Sequence, residues 1–222
     1  MHVLQKLNCD FVEMLPFIER PFKAKFVPNK IWNDLDKYRY ALKGLCHYTK
    51  KWKTRVEVHH IESECIVVGG EYDGLENRCF VHISYDLYSD LNMNDNEWNW
   101  FKFRFIQVMM HELIHSAQAS ARDCYWSERT LNYIKTGDES IDSEREYLSS
   151  FDEIQAYAHC VYLEIRNKRK TVPVERFLLN NKTRSITVYN RAFGKAMNPI
   201  KQELYKQIIR WDKKYRNLNN KS

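Results

Sequence analysis

Apolar residues recur every three or four positions along the segment from about residue 98 to residue 118. The repeat consists of Phe103, Ile106, Met110, Leu113 and Ala117. This spacing places apolar side chains on one face of an α-helix. Asn94 followed by Glu97 has the form of a capping box, and no Pro or Gly follows Trp98 until well past residue 118. The pattern therefore predicts a long helix whose apolar stripe faces a core.

Two further helical patterns follow in the second half of the chain. The first begins near Ser150, and its apolar stripe consists of Ile154, Ala158, Val161 and Ile165. The second has Asn198 as cap and Pro199 as first helical residue, and its apolar face consists of Ile200, Leu204, Ile208, Trp211 and Tyr215. The residues that flank this face are Lys201, Lys206, Lys213 and Lys214. Residues 29–50 also have helical periodicity, so helices are expected at both chain ends.

Residues 55–68 and 78–86 are rich in Val, Ile, Phe and Tyr, which favours β-strands. The glycine-containing segment 69–74 separates them, so the sequence predicts a hairpin. Residues 79–86 are either an edge strand, whose backbone pairs with an extended peptide, or an ordinary internal strand, and the pattern does not decide between the two. Together with the helices, these strands predict an α+β fold with a small, mostly antiparallel sheet beside the helix at 98–118.

The composition is that of an ordinary globular protein. A chain of 222 residues with 44% hydrophobic content can bury a sizeable core. We expect a single domain over residues 1–222, with an N-terminal helical part at 1–50 and a C-terminal helical extension at 171–222. Six cysteines are scattered without a C-x-x-C pair, which argues against a zinc ribbon and against a compact disulfide framework.

The chain carries no clear signal for export or for a charged partner. It has no apolar leader with a small-residue cleavage site and no run of 18 apolar residues, so we expect a cytoplasmic protein without a membrane partner. The net charge of +6 favours approach to acidic partners, including nucleic acid. Four basic residues among positions 166–170 are, however, typical of a solvated helix end, so nucleic acid is not the partner we expect.

His111, Glu112 and His115 form the pattern H-E-x-x-H within the first predicted helix. Four residues make slightly more than one turn, so both imidazoles project from one side and can bind one Zn2+. Glu112, about 100° around the helix from His111, then points at the position of an activated water. The alternative is an ordinary pair of helical histidines with Glu112 on a solvated face. We favour the metal site because the pattern lies on a helix, as its chemistry requires.

A zinc site with two histidines needs a third protein ligand and an open position. Glu153 is the candidate, since it falls in the first turn of the second predicted helix and off the apolar stripe. Small Ala156, one turn further on, favours close approach of the two helices. Ser150 and Glu153 also satisfy S-x-x-E, in which the glutamate only caps its own helix. The rival ligands are Asp152, Asp123 and His159.

The segment from His111 to Gln118 reads H-E-x-x-H-x-x-Q, and Glu153 opens the pattern E-I-x-A-x-A. Together these motifs resemble the gluzincin group of zinc metallopeptidases and, more narrowly, small peptidases encoded by tailed bacteriophages. The resemblance covers residues 97–165, and the basic C-terminal part more loosely. It implies a zincin-like fold in which His111, His115 and Glu153 bind Zn2+ and Glu112 is the general base. Many gluzincins have an acidic residue four positions after the ligand glutamate, where this chain has Tyr157, so the partner that orients the histidines is not assigned.

The resemblance implies zinc-dependent hydrolysis of peptide bonds in a peptide or protein substrate. Tyr157, Tyr147 and His159 are candidates for stabilising the oxyanion, with Tyr157 as the expected catalytic residue. A phage-encoded protein would act in the host cytoplasm or in the virion, where virion or assembly proteins are further partners. One alternative is a structural or assembly protein that keeps the zincin fold and metal without proteolysis. Another is a protease acting at DNA, as in SprT-like enzymes, although those use a third histidine and often a Cys-rich zinc module.

Overall fold

The computed structural model describes residues 54–62, 65–86, 95–122, 140–168, 173–178 and 183–219. These residues fall into two compact units, divided after Ser120. The predicted helix at 29–50, the predicted cap at Asn94 and the rival ligand Asp123 lie outside the described ranges. The prediction of a single domain over residues 1–222 stays a prediction.

In the described part of the first unit, three strands form a sheet: β1 at Thr54–His60, β2 at Val67–Asp73 and β3 at Arg78–Tyr85. β3 lies in the middle, where it pairs in parallel with β1 and antiparallel with β2. A turn over residues 74–77 joins β2 to β3 and ends at Asn77, whose φ of 49° lies in the left-handed region that asparagine tolerates. The prediction of a mostly antiparallel sheet is not confirmed, since one of these two pairings is parallel.

The strand predictions were wrong in two respects. The segment 55–68 is not one strand, because it contains β1 and only the beginning of β2, and Gly69 and Gly70 lie inside β2 rather than in a turn. The sequence left open whether β3 is an edge or an internal strand, and its pairing on both sides makes it the internal strand. A Cβ atom at Gly70 would lie 2.5 Å from Cγ1 of Val108. Glycine is therefore required at position 70 because a helix approaches the strand closely there. Such an approach, like a turn, explains a glycine in the sequence of a strand.

That helix is α1 at Asp95–Ser120, and it packs on β2 and β3. The predicted stripe is largely confirmed, since four of its five residues are buried: Ile106, Met110, Leu113 and Ala117. Phe101, Phe105, Val108, Met109 and Ile114 are buried as well. Buried side chains therefore cover more of the helix circumference than the stripe alone, and the H-E-x-x-H motif is held by a helix that is firmly packed within its unit.

The described part of the second unit is helical. Its helices are α2 at Ile141–Ser149, α3 at Phe151–Lys168, α4 at Val174–Leu178, α5 at Arg184–Phe193 and α6 at Pro199–Asn219. α3 packs against both α5 and α6. Its predicted stripe is confirmed, because Ile154, Ala158, Val161 and Ile165 are all at most 3% exposed. The predicted start of α6 is confirmed too, since Oδ1 of Asn198 accepts a hydrogen bond from the backbone N–H of Lys201 at 2.9 Å.

Lys201 does not flank the apolar face on the surface, as its sequence position suggested, but is buried. Its Nζ donates to Oδ1 of Asn190 and to the carbonyl oxygens of Gly194, Lys195 and Ala196, at distances of 2.7 to 3.2 Å. These carbonyls directly follow the end of α5, where a helix leaves backbone acceptors open. Burial lowers the pKa of Lys201, while hydrogen bonds to the four oxygen atoms replace the water that its ammonium group loses.

The α+β class is thus confirmed for the described residues, with the sheet in the first unit and a helical second unit. The zincin-like character of the fold stays a prediction. None of the described helices combines the length and the apolar composition that a membrane span requires.

Candidate metal centre

The two histidines of the motif lie side by side on α1. Their Nε2 atoms are 3.1 Å apart, and the ring planes make an angle of 77°. Two Zn–N bonds of about 2.0–2.1 Å at a tetrahedral angle place the nitrogens about 3.3 Å apart. The observed separation therefore fits joint coordination of one Zn2+. His115 is buried, whereas His111 is half-buried, so the pair is reachable from one side.

Gln118 is the residue that orients His115, a role that the sequence left unassigned. Its Oε1 lies 2.9 Å from Nδ1 of His115, and the amide is buried. An amide oxygen accepts a hydrogen bond, so this contact holds the proton on Nδ1 and leaves the Nε2 lone pair directed at the metal position. Metal-binding histidines generally use their second nitrogen in this way. The signal in the sequence was the spacing of three residues from His115 to Gln118 on one helix.

Glu112 is buried between α1 and β2. A Cβ atom at Gly70 would lie 3.0 Å from both Cγ and Oε1 of Glu112, so the glutamate side chain runs along the backbone of β2 at this residue. Gly70 thus provides room for two α1 side chains, those of Val108 and Glu112. Packing on a strand therefore fixes the position of the Glu112 carboxylate.

In the second unit, Glu153 lies in the first turn of α3 and is 1% exposed. Its backbone N–H donates to Oγ of Ser150 at 3.3 Å, which is one half of the predicted capping box. In the other half, the glutamate side chain would accept from the N–H of Ser150, but that N–H donates to the carbonyl oxygen of Tyr147 at 3.1 Å. The cap therefore uses the backbone of Glu153 and does not need its carboxylate.

Two rival ligands are committed to other contacts in the second unit. Asp152 is 2% exposed and forms a bidentate ion pair with the guanidinium of Arg122. His159 is fully buried, and its ring packs edge-on against Trp211 at 4.6 Å between centroids. Charge pairing with Arg122 and packing against Trp211 account for these residues without a metal.

Tyr157 lies four residues after Glu153 on α3 and is half-buried. Its ring meets that of Tyr189 at 5.5 Å and 73°. The hydroxyl of Tyr189 donates to the carbonyl oxygen of Leu148 at 3.0 Å. Burial raises the pKa of Tyr189 well above its ordinary value, and the negative charge of Glu153 raises it further. Tyr189, which the sequence did not single out, therefore packs against Tyr157 and stays protonated at neutral pH.

The expected site residues lie in both units of the chain. His111, Glu112 and His115 lie on α1 in the first unit, with Gln118 and Gly70 as the neighbours that place them. Glu153 and Tyr157 lie on α3 in the second unit. Comparison of this chain with protein-family models, with curated proteins and with solved structures finds no match in any of the three.

Proposed function

We propose that this protein is a zinc-dependent metallopeptidase that hydrolyses peptide bonds. The observation that carries the proposal is the pair of Nε2 atoms of His111 and His115 at 3.1 Å, with Gln118 on the second nitrogen of His115. The separation suits two ligands of one zinc ion, and the acceptor at Nδ1 of His115 leaves Nε2 without its proton, as metal binding requires.

The proposed zinc ligands are His111, His115 and Glu153. Glu153 is preferred over its rivals because Asp152 is paired with Arg122 and His159 packs against Trp211. The capping contact at the start of α3 uses the backbone N–H of Glu153 and not its carboxylate. Zn2+ bound by two histidines and one carboxylate supplies a Lewis acid that lowers the pKa of water toward neutrality and polarises a carbonyl oxygen.

Glu112 acts as the general base in this proposal. Its carboxylate accepts a proton from the attacking water and then delivers it to the nitrogen of the departing amine, so the carbon–nitrogen bond breaks without release of an unprotonated amide anion. The contact with Gly70 on β2 holds the side chain at a fixed depth beside α1. Tyr157 is proposed to donate a hydrogen bond from its hydroxyl to the oxyanion that forms at the scissile carbonyl.

An extended peptide is the proposed substrate. Of the described strands, β2 is the one that both lies at a sheet edge and contacts Glu112, through Gly70. Strand addition at this edge would place the backbone of a peptide next to the catalytic carboxylate. β2 thus takes the peptide-binding role considered for residues 79–86, because the backbone of β3 is already paired on both sides.

The enzymatic proposal is tested by comparing wild type with Glu112→Gln on an unbiased peptide library and on a cell lysate. Glu112 does not bind the metal in this account, so the variant should keep zinc and thermal stability while losing turnover by at least about 10²-fold. Cleavage that persists unchanged in the variant contradicts the mechanism. Zinc bound to a wild-type protein that cleaves nothing favours a structural role instead.

The ligand set is tested separately by zinc content. His115→Ala and Glu153→Gln should each lose one equivalent of zinc. The matched control is Asp152→Asn, which removes the neighbouring carboxylate that Arg122 binds and should keep the zinc while lowering stability. If Asp152→Asn loses zinc and Glu153→Gln keeps it, the assignment of the third ligand is reversed.

A further inference from the structure

A second group of metal-binding side chains lies on the sheet of the first unit. Glu57 and His59 are two residues apart on β1, so they share one face of the strand. His82 on β3 is the register partner of Glu57, which places it on the same face. Val81 and Ile83 are buried on the opposite face of β3. Gly70, the register partner of Val81, meets α1 on that same face. The group therefore lies across the sheet from the H-E-x-x-H helix.

Three atoms of this group converge. Nε2 of His59 is 3.0 Å from Nδ1 of His82, and Oε2 of Glu57 is 3.8 Å from the first of these nitrogens and 3.7 Å from the second. In the plane of three atoms with these separations, the equidistant point lies about 2.0–2.1 Å from each, which is the length of Zn–N bonds and of the shorter Zn–O bonds. The side chains are 48%, 23% and 28% exposed for His59, His82 and Glu57, so an ion can reach the point from solvent.

We propose that Glu57, His59 and His82 form a second metal site, which binds a zinc-like divalent transition-metal ion. Two imidazoles with one carboxylate suit Zn2+, whereas Ca2+ and Mg2+ prefer sites made of oxygen ligands. Because the three protein ligands are at least partly exposed, water completes the coordination. The proposal is independent of the proposed peptidase function, since it uses none of the residues of α1 or α3.

Glu71 gives this site an orienting partner. Its Oε1 lies 3.5 Å from Nε2 of His82, on the side of the ring away from the shared point. A carboxylate beside Nε2 favours the tautomer that carries the proton there and leaves Nδ1 to bind the metal. Zinc-binding histidines commonly have a carboxylate at the nitrogen that does not bind the ion. The three strands therefore each contribute: β1 two ligands, β3 one ligand and β2 the orienting carboxylate.

The consequence for the fold is a cross-link between β1 and β3. His59 and His82 are 23 positions apart in sequence, and the strands pair in parallel. A bound ion would tie this pairing together, so zinc should raise the thermal midpoint of the protein through this site. Without a metal, the same contact is only a hydrogen bond between two partly exposed imidazoles, which adds little.

The experiment measures zinc stoichiometry by isothermal titration of metal-free protein, with zinc alone as the probe. In the His115→Ala background, one equivalent should still bind, and adding His82→Gln should abolish it. The matched control is His60→Gln, because His60 follows His59 on β1 but faces the other way and pairs with Asp86 at 3.8 Å. This control variant should still bind one equivalent of zinc.

A second readout uses the wild-type protein, so it holds even if His115→Ala does not fold. Zinc should shift the imidazole 15N resonances of His59 and His82 and leave those of His60 in place. Equal stoichiometry in His82→Gln and His60→Gln, or unshifted His82 resonances at saturating zinc, overturns the proposal. Loss of peptide cleavage has no bearing on it, so failure of the proposed function and failure of the second site are distinguishable.

Discussion

Gly70 offers the sharpest test of how α1, the helix that carries the H-E-x-x-H motif, is positioned. The substitution Gly70→Ala adds one methyl group, which would lie 2.5 Å from Cγ1 of Val108 and 3.0 Å from Cγ and Oε1 of Glu112. Ordinary contacts between carbon atoms are about 3.5–4.0 Å, so the valine methyl would have to move by about 1 Å. Valine on a helix has one strongly preferred rotamer, so the movement falls on the helix and strand backbones.

Gly70→Ala should lower both the stability and the turnover of the protein. Overpacking of this kind costs about 1–3 kcal/mol, and replacing glycine by alanine returns about 0.4–1 kcal/mol by restricting the unfolded chain. We therefore expect Gly70→Ala to lower the free energy of unfolding by about 1–2 kcal/mol. Because Glu112 must also shift, turnover should fall by about ten-fold or more, since a misplacement of about 1 Å can cost about 10²-fold.

The assay is urea unfolding followed by circular dichroism, together with peptide cleavage at fixed zinc. The matched control is Gly69→Ala, because a Cβ atom at Gly69 meets nothing within 4 Å. It should leave stability and turnover unchanged or slightly improved. In the background of Val108→Ala, the cost of Gly70→Ala should shrink, which a double-mutant cycle measures. If Gly69→Ala and Gly70→Ala have equal stability, the close approach of α1 to β2 is refuted.

Three further predictions concern single side chains. Gln118→Leu removes the hydrogen bond to Nδ1 of His115 and should weaken zinc binding by about 10- to 100-fold in a competition titration, whereas an unchanged dissociation constant contradicts the orienting role. Lys201→Met leaves buried acceptors at the end of α5 without their donor and should cost at least about 2 kcal/mol in urea unfolding; a loss below 0.5 kcal/mol, as is usual for a surface site, would contradict this. Burial beside Trp211 lowers the pKa of Lys214 to about 8. The unfolded chain, in which the pKa of Lys214 is about 10.4, then binds this proton more tightly than the folded protein does. The contribution of Lys214 to stability therefore rises as the pH increases from 8 to about 10.4. Over that interval, Lys214→Met should gain less stability than wild type.

The helices could be predicted from sequence because their signals are local. The stripe of α3 and the cap at Asn198 are set by residues within a few positions of each other, and both are found as predicted. The strands could not be predicted as well, because the parallel pairing of β1 with β3 joins residues more than 20 positions apart. Gly70 was misread for the same reason. A glycine is needed at position 70 because α1, which begins 25 residues later, packs closely against it. No local sequence pattern distinguishes such a glycine from one in a turn.

The candidate site also combines features that depend on local sequence with features that depend on contacts between distant residues. H-E-x-x-H is a local spacing, and the helix delivers it with His111 and His115 in the geometry that the spacing implies. Gln118 was within reach of the same argument, since it lies three residues after His115. The burial of Lys201 and the convergence of Glu57 with His82 depend on tertiary contacts, which periodicity does not record.

The central claim is that His111, His115 and Glu153 hold one zinc ion. It is tested most directly by anomalous diffraction from zinc-soaked crystals, with data collected on both sides of the zinc absorption edge. We expect an anomalous peak at about 2.0–2.2 Å from Nε2 of both histidines and from a carboxylate oxygen of Glu153. No peak at His111 and His115, or a peak there whose third protein ligand is another residue, would contradict it.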